Sequence, residues 1–76
     1  MSVTVHMHGN LRRFMPEGRD RMAMDVAPGT RIDALLATLG ADRDIWLVAV
    51  NGVACEQDRI LQEGELLDCF EPVAAG

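Results

Sequence analysis

Residues 28–40, Pro28-Gly29-Thr30-Arg31-Ile32-Asp33-Ala34-Leu35-Leu36-Ala37-Thr38-Leu39-Gly40, decide the fold. Pro28-Gly29 ends whatever precedes it. Thr30 offers an N-cap hydroxyl, with Asp33 three residues on, a variant of the capping box. Ile32, Leu35, Leu36 and Leu39 recur at i, i+3, i+4, i+7 and make one apolar stripe on a helix of about three turns. Gly40 follows the last apolar residue and serves as a C-terminal cap. A helix this short is stable only when its stripe is packed, so the rest of the chain must supply an apolar sheet face.

Both flanks read as strands. Towards the N-terminus, Val3, Val5 and Met7 alternate with Thr4, His6 and His8, the period of a half-buried strand. Gly9-Asn10 breaks it, Leu11 to Met15 makes a short helical turn before Pro16, and Glu17 to Asp20 is a polar loop. Met22, Met24 and Val26 alternate again, a second strand placed to pair antiparallel with the first. Beyond the helix, Ile45 to Val50 is a continuous apolar run rich in branched residues, read as a central strand opened by Trp46. Asn51-Gly52 is a hairpin turn signal and Val53 to Cys55 a short returning strand. Asp58 to Leu61 reads as a tight turn or 3₁₀ piece, Glu63-Gly64-Glu65 as a turn, and Leu66 to Phe70 as the last strand. One helix and one sheet bury one another's single apolar face, which gives an α+β fold with the helix across a mixed sheet of four to five strands. The first and last strands are natural central neighbours.

The 76 residues suffice for one domain, which buries roughly 60% of its unfolded surface on folding. The expected division is a folded body over 1–70 and a flexible tail over 71–76. The formal net charge of −5 argues against nucleic acid, whose phosphates require a basic surface. It suits a carrier that docks on basic partners, and equally simple solubility. No basic segment followed by an apolar run opens the chain, and no stretch approaches the ~20 apolar residues of a membrane span, so a cytoplasmic protein is expected. Cys55 and Cys69 form neither a CxxC nor a metal-ligand spacing. They read as free thiols acting as small buried hydrophobes, since nothing adjacent in sequence would lower their pKa.

The closing residues are Phe70-Glu71-Pro72-Val73-Ala74-Ala75-Gly76. After Val73 nothing bulky or charged follows except the terminal carboxylate, and Gly76 has no side chain to crowd attack at its own carboxyl carbon. Such a segment passes through a narrow channel. The competing reading is an ordinary frayed terminus of small residues.

The element order is similar to that of the ubiquitin-like β-grasp fold, and several motifs resemble the MoaD/ThiS family of sulfur carriers. These are the opening strand followed by Leu11-Arg12-Arg13, Val26-Ala27-Pro28-Gly29-Thr30 leading into the leucine-rich helix, Val48-Ala49-Val50-Asn51-Gly52, Leu61-Gln62-Glu63-Gly64-Glu65, and the closing heptapeptide. The resemblance covers nearly the whole chain. It implies a carrier rather than an enzyme. An E1-like adenylating partner (MoeB/ThiF-like) uses ATP to activate the carboxylate of Gly76, and a sulfur donor then converts it to a thiocarboxylate. No cofactor is held stably. The proline before the tail and the length look more like the small subunit of molybdopterin synthase, whose partner is a MoaE-like large subunit, than the thiamine-pathway carrier. Partner-binding positions implied by the resemblance are Phe70, Pro72, Val73, Ala74, Ala75 and Arg12. The chain departs from the family at one place, with Ala75-Gly76 where two glycines are expected. If the partner channel requires a positive φ there, alanine costs roughly 1 kcal/mol or more; in an extended tail it is sterically mild. Other sulfur-transfer branches, a protein modifier, and a β-grasp interaction module with a degenerate tail are the alternatives.

Strand parity with Asp68 places Phe70 on the outer sheet face, as a contact for the activating enzyme; the other reading is a core phenylalanine. Arg12 and Arg13 read as contacts to an acidic patch on a partner, Arg12 being the one the resemblance matches, or as plain surface charge. Trp46 reads as a core or edge packing residue. His6 and His8, at i and i+2 on one strand face, could begin a metal site, but spacing places no third ligand and Asp68 is only a guess across the sheet. A solvated polar face is therefore expected and no metal. No Ser/His/Asp or Cys/His arrangement, P-loop or zinc motif is present.

Overall fold

A computed structural model describes residues 1–71. Strand β1 spans Ser2–Met7, β2 Arg21–Asp25, helix α1 Ile32–Thr38, β3 Leu47–Val50, β4 Val53–Cys55 and β5 Leu66–Phe70. Two 3₁₀ segments, Gly9–Phe14 and Pro16–Gly18, fill the connection between β1 and β2. The five strands form one mixed sheet in the order β2-β1-β5-β3-β4. β1 and β5 run parallel at its centre, and the other pairs are antiparallel. The expected neighbourhood of the first and last strands is thus what the chain adopts.

The period-two pattern of β1 sorts cleanly between two faces. Val3, Val5 and Met7 are buried, while Thr4 and His6 are half-buried on the opposite face. Leu67 and Cys69 of β5 and Val48 and Val50 of β3 complete the inner surface. Ile32, Leu35 and Leu36 of the helix join the same core cluster, with Leu11, Met15, Ala41, Ile45 and Leu61 contributed by connections. Leu39 of the predicted stripe is only partly buried against it.

At its C-terminal end the helix closes as the sequence predicts. Gly40 takes φ +75°, its N–H donates to the carbonyl of Ala37 at 3.0 Å, and the N–H of Ala41 donates to that of Leu36 at 3.0 Å. These are the two bonds of a Schellman cap. The N-terminal end differs from the prediction. Arg31, not Thr30, is the N-cap, and no side chain caps the helix. The Thr30 hydroxyl donates instead to Ala27 O at 2.6 Å. The reason is that a distant loop already supplies acceptors: the N–H of Ile32 donates to Arg59 O at 3.0 Å and that of Asp33 to Gln57 O at 2.8 Å. With its stop moved forward to Leu39 as C-cap, the helix has seven residues, shorter than the three turns expected.

The β3–β4 hairpin turns on Asn51 (φ 50°) and Gly52 (φ 84°), both in the left-handed region that a two-residue hairpin loop requires. Asn51 also binds the next strand, since its Oδ1 accepts from Leu66 N–H at 2.9 Å and its N–H donates to Leu66 O at 2.9 Å. β3 begins later than predicted, at Leu47, and Trp46 is not a packing residue: its side chain is 74% exposed. Its backbone N–H nevertheless donates to Phe70 O at 3.0 Å, so the main chain is held to β5 while the indole is left outside.

The loop that seals the helix is itself clamped by Arg59 and Glu65. The guanidinium donates to both carboxylate oxygens, at 2.9 and 2.8 Å, and Glu65 Oε1 also accepts from Gln62 N–H at 2.6 Å. The fork-shaped bond from Arg59, with the Gln62 N–H, holds the Glu65 carboxyl below the usual carboxylate range. A carboxyl group with a folded-state pKa below its unfolded value stabilises the fold fully above the unfolded pKa, and that contribution is lost as pH falls through the folded pKa. Urea unfolding as a function of pH should therefore show stability declining on the acid side of the carboxylate range, and Glu65→Gln should be less stable than the parent near neutrality with the difference shrinking as acid is added. A pH-independent difference would contradict this account.

Cys69 is fully buried and Cys55 half-buried; both are free. Burial, with the neighbouring Asp68 charge, pushes the Cys69 thiol up to about 12. At mildly alkaline pH only roughly one Cys69 in ten thousand is a thiolate. Peptide mapping after brief iodoacetamide treatment should find native protein labelled at Cys55 and Cys69 labelled only after unfolding. Rapid native labelling of Cys69 would show that the core opens there.

Candidate functional site

The outer face of the two central strands gathers the residues singled out in the sequence. His6 and Asp68 are direct partners in the parallel β1–β5 register, and Phe70 pairs with Leu47 across β5–β3. Phe70 lies on the Asp68 side of β5, as strand parity predicts, and is half-buried rather than fully open. The cause of its partial burial is His8, whose ring stacks on it with centroids 4.3 Å apart and planes inclined by 14°. Leu47, 45% exposed, and Trp46 leave an apolar margin beside Phe70.

The chain leaves the sheet at this point. Glu71 is the last residue described, and it is held from the β1 side. Its Oε1 accepts from the N–H of Asn10 at 3.0 Å, in the first turn of the 3₁₀ segment that begins at Gly9. Gly9 has φ +60°, and a Cβ there would lie 3.2 Å from the same carboxylate oxygen, so glycine serves both the turn and the close approach. Arg13 Nη1 stands 3.7 Å from Glu71 Oε2, and its guanidinium carbon lies 4.5 Å over the Phe14 ring. A shallow depression of about 180 Å³ is lined by His8, Gly9, Phe70 and Glu71.

Arg12 is placed differently from its neighbour. Its Nε donates to Gly18 O at 3.0 Å and so braces the β1–β2 connection. Arg13, read together with Arg12 as a partner contact or plain surface charge, is the arginine at the chain exit; two adjacent arginines on a 3₁₀ turn are placed differently, and nothing in their order says which faces Glu71. Pro72, Val73, Ala74, Ala75 and Gly76 lie outside the described residues.

The polar part of the face is a cluster that spacing did not reveal. His6 Nδ1 is 3.0 Å and His8 Nε2 2.8 Å from the same oxygen, Oδ1 of Asp68. The two imidazole rings have centroids 4.1 Å apart. The guess of Asp68 across the sheet is thus the correct third member. Its signal was the β1–β5 pairing, since the parallel register puts it opposite His6.

No family model and no curated protein sequence matches the chain. Among solved structures, SAMP1 from Haloferax volcanii is similar at a TM-score of 0.78 with 20% identity over all of both chains. A candidate molybdopterin converting factor subunit 1 from Pyrococcus furiosus superposes at a TM-score of 0.76, with 21% identity over 95% of this chain and 98% of that one. The complex of subunits 1 and 2 of molybdopterin-converting factor from Helicobacter pylori contains a chain similar at 0.64, with 19% identity over all of both chains. Together with the strand order and the one α-helix among the described residues, these likenesses identify the fold of this chain as the ubiquitin-like β-grasp.

Proposed function

We propose that the protein is a ubiquitin-like sulfur carrier that works through the carboxylate of Gly76. The observation that carries this reading is where the folded body lets go of the chain. β5 is a central strand, paired on both sides, and it ends at Phe70 beside the exposed Leu47 and Trp46. A partner that docks on this apolar margin receives the following residues directly. The six residues after Phe70 reach at most ~20 Å when extended, enough to enter an active site while the body stays outside it. Phe70 acts as the docking anchor.

The chemistry then belongs to partners. An E1-like enzyme with ATP forms the acyl-adenylate of Gly76 and releases pyrophosphate. A sulfur donor displaces AMP to leave the thiocarboxylate. The likeness to two molybdopterin converting factor structures, one of them a complex with a second subunit, supports molybdopterin synthesis as the pathway and a MoaE-like large subunit as the acceptor of the tail. A second reading is supported by the likeness to small archaeal modifier protein 1. In it a lysine amine of another protein takes the place of sulfur and forms an isopeptide with Gly76. In either case the catalytic groups are those of the partners.

Intact mass spectrometry after incubation with ATP, the host's activating enzyme and a sulfur donor separates these outcomes. A carrier gains the difference of sulfur replacing oxygen, confined to the C-terminal peptide, and Gly76 deletion abolishes the gain without altering thermal stability. Conjugates in host lysate, in place of that gain, would establish the modifier. No change in mass alongside an active control carrier would reject Gly76 activation altogether. Phe70→Ala should weaken the complex with the activating enzyme by more than about 1 kcal/mol, the usual threshold of an anchor residue, with the far-UV spectrum unchanged.

A further inference from the structure

We propose that His6, His8 and Asp68 form a binding site for one divalent transition-metal ion of zinc's character. Two imidazole nitrogens and one carboxylate oxygen converge within 4.8 Å of one another on the outer face of the central strands. The side chains are 19%, 36% and 16% exposed, so each is partly withdrawn from water yet open to an entering ion.

The geometry is close to what a metal needs. Two ligand atoms at about 2.1 Å from a tetrahedral zinc ion are separated by about 3.4 Å. The His6 Nδ1 and His8 Nε2 distances to Asp68 Oδ1 are 3.0 and 2.8 Å. An ion held by both rings and Asp68 Oδ1 requires these two gaps to widen by about half an ångström. Asp68 Oδ1, shared by both rings, then becomes one ligand and the rings the other two, leaving at least one position for water.

The surroundings orient the ligands. His6 Nε2 lies 3.7 Å from Asp20 Oδ2, too far for a hydrogen bond, so the Asp20 carboxylate contributes nearby negative charge rather than a direct hold on the ring. His8 is held by its stack on Phe70. The register fixes His6 opposite Asp68 on rigid, doubly paired strands. Two nitrogens with one oxygen select zinc-like ions over magnesium or calcium, which require oxygen-rich sites.

Calorimetric titration of the metal-stripped full chain with zinc chloride near neutral pH tests the site. One ion per chain is expected. Asp68→Asn and His8→Ala should each weaken binding at least about tenfold. Cys55→Ser should bind as the parent does, and excess magnesium should not displace zinc. In the parent protein, NMR should show zinc-induced shifts centred on the ring signals of His6 and His8, a reading independent of how the variants fold. Unchanged affinity in both Asp68→Asn and His8→Ala, loss of binding in Cys55→Ser, one ion per two chains, or ring signals that zinc leaves unmoved would each overturn the proposal.

Discussion

The structure depends on the parallel pairing of β1 with β5. Thr4, Val5, His6 and Met7 align with Leu66, Leu67, Asp68 and Cys69, joining segments about sixty residues apart. Parallel neighbours cannot be linked by a tight turn, so a crossover has to join them, and here it is nearly the whole of the intervening chain. The alternate residues of this one ladder also partition the molecule. Val5, Met7, Leu67 and Cys69 face the core, and His6, Asp68 and Phe70 face outward. A slip of one residue would exchange these sets and bury the histidines and Asp68 without the core they displace.

The helix illustrates how unevenly local sequence controls a small fold. Its C-terminal end is closed by Gly40 and by bonds within six residues. At the N-terminal end the first amides are taken by carbonyls of Gln57 and Arg59, while Leu61 N–H donates to Thr30 O at 2.9 Å. Arg59 in turn is locked to Glu65, whose own carbonyl accepts from Thr4 N–H at 2.9 Å on β1. Helix start, loop and central strand therefore form one chain of dependence. A helix of seven residues has little stability of its own, and this arrangement supplies it from the sheet.

The same contrast explains what could be read from the sequence. Strand periodicity, the Asn51-Gly52 hairpin, the Gly40 cap and the outward parity of Phe70 are local signals, and each lies where the pattern puts it. Thr30 misleads because its capping chemistry is real but the backbone of a distant loop competes successfully for the same amides. Trp46 misleads for a related reason. Its hydrophobicity extends the Ile45–Val50 run, yet only its backbone bonds to β5, and of the two residues before β3 it is Ile45 that turns into the core. The relation of His6 and His8 to Asp68, and of Arg13 to Glu71, required the tertiary pairing itself.

The outer face is where local preference and observed residue diverge most. Positions of central strands that face a core are apolar, and the inner positions Val3, Val5, Met7, Leu67 and Cys69 obey. On the outer face His6 and, just past the end of β1, His8 set two imidazoles tilted by 39° against one another around a shared carboxylate of β5, with Phe70 stacked on His8 and Leu47 alongside. The cluster lies against Phe70, and His8, Phe70 and Glu71 line one depression where the chain leaves the sheet. The His8 ring stack thereby places the imidazole pair in direct contact with the last residue of β5.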